Sequence, residues 1–114
     1  MSVSFKKTKL EEKIQYFALE CLRNLSDQHL MMLSITKVVL SSDFSSAKIY
    51  WDTFSSDQRS TITSSLKNNK GKVRTHIGRG LKIKHTPSIE FIYDSQFEEE
   101  QKITDILKSE GHIK

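Results

Sequence analysis

Apolar residues over the first quarter of the chain recur at helical spacing. Ile14, Phe17, Ala18, Cys21, Leu22 and Leu25 follow the i, i+3, i+4, i+7, i+8, i+11 order of one buried stripe, which predicts a helix over residues 9–25. Thr8 is placed to cap it, with Glu11 three residues on completing a capping-box pattern. Glu11 and Glu12 then complement the helix dipole, and Ser26, Asp27 and Gln28 close the element. The period next changes to two. In LSITKVVLS, residues 33–41, Leu33, Ile35 and Val39 share one face, and Lys37 interrupts it, so a bulge or a sheet end is expected there. After the turn-forming SSDFSS, Ala47, Ile49 and Trp51 alternate with Lys48, Tyr50 and Asp52. So short a connection permits only an antiparallel pair.

Helical spacing then returns. Ser55 and Gln58 form a second capping-box pattern, opening a helix with Ile62 and Leu66 facing inward. Asn68-Asn69-Lys70-Gly71 predicts a break, and the period restarts with Val73, Ile77 and Leu81, with Gly80 on the same side permitting close approach. Pro87 ends the helical run. Ile89, Phe91 and Tyr93 alternate with Glu90 and Ile92 as a third strand, which the helical crossover allows to lie parallel to the hairpin. Phe97, Ile103, Ile106 and Leu107 predict a last short helix over residues 97–107, followed by a frayed tail. The order α-β-β-α-(break)-α-β-α describes an α+β sandwich, with helices on one face of a three-stranded mixed sheet.

A chain of 114 residues suits one domain with a modest core, here residues 8–107 with short flexible termini. No apolar run approaches the ~20 residues of a membrane span. The Lys-bearing N-terminus has no apolar region after it, so no secretory signal is expected. Cys21, the one cysteine, cannot form an intrachain disulfide, which fits a reducing compartment and points to the cytoplasm.

Charge changes the picture more than composition does. Residues 59–89 carry eight Lys/Arg and no Asp or Glu, whereas residues 1–57 balance at seven of each sign and residues 90–114 hold three basic against seven acidic. The formal +4 is therefore the remainder of a segregation into +8, 0 and −4. A cationic surface beside a neutral and an acidic remainder is the electrostatic outline of a phosphate-binding face. On a helix starting near Gly71, the residues Lys72, Thr75, His76, Arg79 and Lys82 share the face opposite Val73, Ile77 and Leu81. Lys70 precedes it, Arg74 stands at its border, and Lys84 and His85 extend the charge past the helix end. Such cations can meet successive phosphates, while Thr75 and the Gly71 backbone N–H donate hydrogen bonds. The plain alternative is a solvated helix face.

Other candidate chemistry is thin. His29, His76, His85 and His112 have no second ligand at metal spacing. Cys21 belongs to the buried stripe and reads as core. Trp51 and Phe91 occupy strand-core positions, and Glu98-Glu99-Glu100 sits where it complements a helix dipole. Gly78-Arg79-Gly80 lacks the strand-then-helix context of a dinucleotide loop. No cofactor, metal, small-molecule substrate or catalytic constellation is expected, and a monomer is assumed.

Two stretches carry a resemblance. Val38-x-x-Ser41-x-Asp43-x-x-x-Ala47-x-Ile49-Tyr50 is similar to the strand-turn-strand pattern of bacterial ribosome-binding factor A. Gly71-x-Val73-Arg74, Leu81-x-Ile83-Lys84, Pro87-x-Ile89-x-Phe91 and a terminal Asp94 match the same family's second half, in the same order and spacing. The resemblance spans residues 8–107 and implies a type II KH-like fold, α-β-β-α-(kink)-α-β. The family places Ala-x-Gly at a kink between two helices; here Asn69-Lys70-Gly71 occupies that position, with Asn departing from Ala. The implied role is non-enzymatic: binding the immature 30S subunit through 16S rRNA, promoting late maturation including 5′-end processing, leaving before translation, and serving growth in the cold. Two further classes stay open on the residues alone. One is a protein-interaction module docking an acidic partner on the basic face; the other is a small hydrolase, which would need an acid/base pair or metal cluster.

Overall fold

The stripe predicted at the N-terminus is what the fold is built on: Ile14, Ala18 and Leu22 are fully buried, with Phe17 and Leu25 packed against the same core. The computed structural model describes residues 2–94. Helix α1 spans Ser2–Asn24, strand β1 Leu33–Leu40, β2 Ser46–Thr53, α2 Arg59–Leu81 and β3 Ser88–Tyr93. The helix expected over residues 97–107 lies outside the described residues. The sheet order is β1-β2-β3, with β1 antiparallel and β3 parallel to β2. Ala47, Ile49 and Trp51 of the central strand point under the two helices and are buried. Lys48, between them, is exposed. The α+β, mixed-sheet arrangement predicted from the pattern is the one observed.

Helix α1 begins at Ser2, so Thr8 lies inside it and the Thr8–Glu11 capping box does not form. Glu11 acts elsewhere: its carboxylate accepts from the Leu40 backbone N–H at 2.8 Å. Gln15 donates to the Ile35 carbonyl at 3.3 Å, and Arg23 donates to the Leu30 and Leu33 carbonyls at 2.8 and 2.9 Å. Polar groups of α1 thus satisfy the outer edge of β1, which would otherwise offer unpaired backbone to another chain. Residues Gln28–Met32 form a short 3-10 helix that the pattern did not predict; Asp27 caps it by accepting from the His29 N–H, and Leu30 is fully buried.

The bulge anticipated near Lys37 is present, with the register shifting between Ile35 and Lys37. Its consequence corrects one assignment. An extra residue reverses side-chain parity, so beyond Thr36 it is Val38 and Leu40 that are buried, while Val39 is 39% exposed.

A larger correction concerns α2. The predicted break at 68–71 is absent: one helix runs from Arg59 to Leu81, and Asn69, Lys70 and Gly71 lie inside it. Asn69 bonds back to the Ser65 carbonyl at 2.8 Å, a contact compatible with helix. No described glycine adopts a positive φ, and Gly71 has open space where a side chain would stand. Ile62, Leu66, Val73 and Ile77 keep one helical phase across the supposed break, and all four are buried. Burial on both sides outweighs weak local propensity. The second capping box also fails, since neither Ser55 nor Gln58 makes a side-chain cap hydrogen bond.

Candidate nucleic-acid interface

Helix α2 is held on two flanks by the glycines of Gly78-Arg79-Gly80. A side chain at Gly80 would meet the Phe17 ring of α1 at 2.6 Å. A side chain at Gly78 would collide with the Thr86 hydroxyl, where residues 82–87 fold back over the helix. Arg79, between them, is exposed. The helix stops at Lys82, which takes left-handed angles (φ 56°, ψ 40°) while its N–H bonds the Gly78 carbonyl at 2.9 Å. A left-handed residue there is a common helix terminator, usually supplied by glycine.

Five of the predicted residues come together. Gly71, Lys72, Thr75, His76 and Arg79 line an open depression of about 480 Å³ against α1, with Cys21 in its wall. Lys72 and Arg79 are seven residues apart, so they stand ~10 Å apart along the axis with Thr75 between them. Burial pushes the Cys21 thiol up, and Lys72 pulls it the other way. Cys21 is 7% exposed and packs in the core as expected. His76 is held by Glu20 of α1, with its Nε2 2.7 Å from the carboxylate and both side chains 37% exposed. That hydrogen bond, then one from Tyr16, holds the Glu20 carboxyl below its usual range.

The other five are distributed differently. Lys70 lies on the opposite flank of α2, in a hollow of about 250 Å³ with Trp51, Glu90 and Phe91. Arg74 is committed to the fold, donating to the Thr86 carbonyl at 3.0 Å and to the Pro87 carbonyl at 3.3 Å. It fastens the 82–87 loop, so that Pro87 is buried. Lys82, Lys84 and His85 are exposed around the C-terminal end of α2. Asn69, Lys70 and Gly71 lie within the continuous helix. What remains as a continuous cationic face is Lys72, Thr75 and Arg79 with Lys82 and Lys84 beyond.

The comparisons with known proteins agree with this frame. The family model of ribosome-binding factor A matches residues 6–107. The chain belongs to the ribosome-binding factor A family. Ribosome-binding factor A of Citrifermentans bemidjiense is 32% identical over 105 residues, spanning 90% of this chain and 88% of its own. The crystal structure of ribosome-binding factor A from Thermus thermophilus shares the fold at 23% identity, with a TM-score of 0.69 over 76% of this chain and 93% of that one. A homology model of the Thermus thermophilus factor, fitted into an electron cryo-microscopy map of its 30S complex, gives a TM-score of 0.65 at 22% identity, covering 78% and 96%. The fold is thus the KH-like α+β arrangement of ribosome-binding factor A.

Several residues that carried the family resemblance build the scaffold. Asp43 accepts from the Ser41 and Ser45 hydroxyls at 2.7 Å and from the Ser45 N–H at 3.1 Å, closing the β1–β2 turn. Asp94 accepts from Thr36 at 2.7 Å, tying the end of β3 to the bulge. Among the described residues no group of three or more His, Cys, Asp or Glu gathers at metal distance. No described helix is long and apolar enough to cross a membrane.

Helix α1 also borders the candidate face. Tyr16 and Glu20 reach the seam with α2, where Glu20 holds His76. Tyr16 lies one position outside the apolar stripe and is 62% exposed, and a large aromatic at such a place was the available signal.

Proposed function

We propose that the chain binds the 30S subunit through 16S rRNA, using the exposed face of α2 that carries Lys72, Thr75 and Arg79, with Lys82 and Lys84 extending it. The carrying observation is the convergence of Lys72, Thr75 and Arg79 on one open depression, inside a 31-residue stretch that has no acidic residue. Membership in the family supports the partner, as does the fitting of the Thermus thermophilus factor into a 30S map. A continuous helix in place of a GxxG loop supports contacts to phosphates and rRNA shape over a wide face, without the four-nucleotide clamp of other KH domains. The same reading assigns the chain to late small-subunit maturation in the cytoplasm, including 5′-end processing and release before translation, as a monomer acting without cofactor or catalysis.

Sucrose-gradient sedimentation tests it. Wild-type protein is expected to comigrate with free small subunits and not with translating ribosomes, and high salt is expected to release it. The triple variant Lys72→Glu, Arg79→Glu, Lys82→Glu stays at the top of the gradient with an unchanged circular dichroism spectrum. Retained comigration of a folded triple variant contradicts the assigned face. Capture of a nuclease-resistant acidic protein without rRNA would replace this reading with a protein-docking one.

A further inference from the structure

Next to the cationic depression, the α1–α2 seam holds a second and chemically different one. It measures about 290 Å³ and is lined by Glu12, Lys13, Tyr16, Phe17, Gly80 and Leu81. The two are joined: Gly80 follows Arg79 in α2, and the Phe17 ring stands edge-on to His76 at 6.2 Å. Phe17 and Leu81, both partly buried, give it an apolar wall. Above them stands Tyr16, 62% exposed.

The Tyr16 ring is held in place. It packs edge-to-face on Phe17 at 5.1 Å and 76°, and Phe17 is itself set against Gly80. The neighbouring Glu20 carboxylate raises the Tyr16 hydroxyl pKa, and Glu20 is fixed in turn by His76. An ordered, solvent-facing aromatic beside a cationic groove is the arrangement by which single-stranded nucleic acid is held, with bases stacking while phosphates follow the charge. The charges sort the two hollows. In the smaller one Glu12 is balanced by Lys13, whereas Lys72 and Arg79 leave the larger one cationic and suited to phosphate. At about 290 Å³ the smaller hollow stands at the low end of the ~300–1,000 Å³ of small-ligand sites, which suits one planar ring. Glu12 offers its rim an acceptor and Lys13 a donor for a base edge.

From this we infer that Tyr16 and the Phe17–Gly80–Leu81 hollow form a subsite for one unpaired nucleobase of the RNA whose backbone lies along Lys72 and Arg79. The inference rests on the proposed rRNA-binding face and adds to it the class of nucleotide recognised. It also brings α1 into a site that the charge pattern placed on α2 alone.

The test is titration of fluorescently labelled protein with purified small subunits, followed by anisotropy at several salt concentrations. Tyr16→Leu keeps an apolar side chain on the helix but removes the ring, and is expected to weaken binding about tenfold with an unchanged salt slope. Tyr16→Phe keeps the ring and is expected to bind within about twofold of wild type. Ultraviolet irradiation of the complex is expected to cross-link Tyr16 to a nucleotide that is unpaired in the rRNA. Wild-type affinity in Tyr16→Leu, equal losses in the Leu and Phe variants, or a cross-link to a paired nucleotide each overturns the subsite. The variant Lys72→Glu, Arg79→Glu separates the two ideas. Its failure to bind while Tyr16→Leu binds normally removes the subsite alone, and normal binding by the charge variant removes the phosphate face beneath it.

Discussion

The contact that sets the α1–α2 seam predicts an unusual outcome for Gly80→Ala. In an ordinary helix interior this substitution stabilises by ~0.8–1.0 kcal/mol, because alanine is the better helix former. Here the new Cβ would stand 2.6 Å from two carbons of the Phe17 ring and 2.7 Å from a third. Carbon atoms pack favourably at about 3.5–4.0 Å, so the ring must retreat by roughly 1 Å. It cannot do so freely, because it packs against Tyr16 at 5.1 Å and His76 at 6.2 Å. Overpacking of this kind costs about 1–3 kcal/mol. The net expectation is destabilisation by about 1 kcal/mol, or a fall in Tm of about 4–8 °C for a domain near this size. Urea unfolding followed by Trp51 fluorescence measures it well, since the single tryptophan is 2% exposed in the native state. In a Phe17→Leu background the clash is relieved, and Gly80→Ala should become neutral or stabilising by up to about 1 kcal/mol. Stabilisation of the wild-type background by the full helix-propensity gain would refute the close-approach argument.

Two further outcomes follow from local geometry. Lys82→Gly relieves a left-handed backbone, so it should raise unfolding stability by about 0.5–1 kcal/mol after glycine's own entropy loss is counted. The same variant removes an exposed cation, so its small-subunit binding should be weaker and less salt-dependent; unchanged stability would contradict the strain at Lys82. Asp43 has its pKa lowered to about 2 by the Ser45 and Ser41 hydroxyls. A depressed carboxylate contributes stability that is complete above its ordinary value near ~4 and lost as pH falls toward the folded value. The Asp43 carboxyl should therefore titrate in NMR with a midpoint near 2, and Asp43→Ala should remove that part of the acid transition; a midpoint at the ordinary value would show that the turn network does not persist in solution.

The sequence was most legible where burial is periodic. The α1 stripe and the alternation of β2 are carried by residues that are now buried, and the short and long connections settled the antiparallel and parallel pairs. It was least legible where one residue changes phase. Lys37 marked the bulge, but only the reversal of parity beyond Thr36 exchanges Val39 for Val38 and Leu40. At Asn68 to Gly71 local preference pointed to a break, yet the phase linking Leu66 to Val73 held the helix together. The cationic face was visible as a run without acids, and Lys72, Thr75 and Arg79 do converge. Arg74 and Lys70 belong to the same run, but their roles depend on where the 82–87 loop and β3 fold back, which spacing does not encode. Tyr16 was hidden for a related reason: the hollow it lines depends on a second helix crossing at Gly80.

The most direct measurement of the central claim is the salt dependence of small-subunit binding by wild type and by Lys72→Ala, Arg79→Ala. For contacts to single-stranded phosphates, log K falls with log salt by about 0.7 per phosphate neutralised. The double variant should therefore bind more weakly, with a slope shallower by about 1.4. Equal slopes for the two proteins, or wild-type binding that salt does not weaken, would contradict a phosphate-binding face on α2.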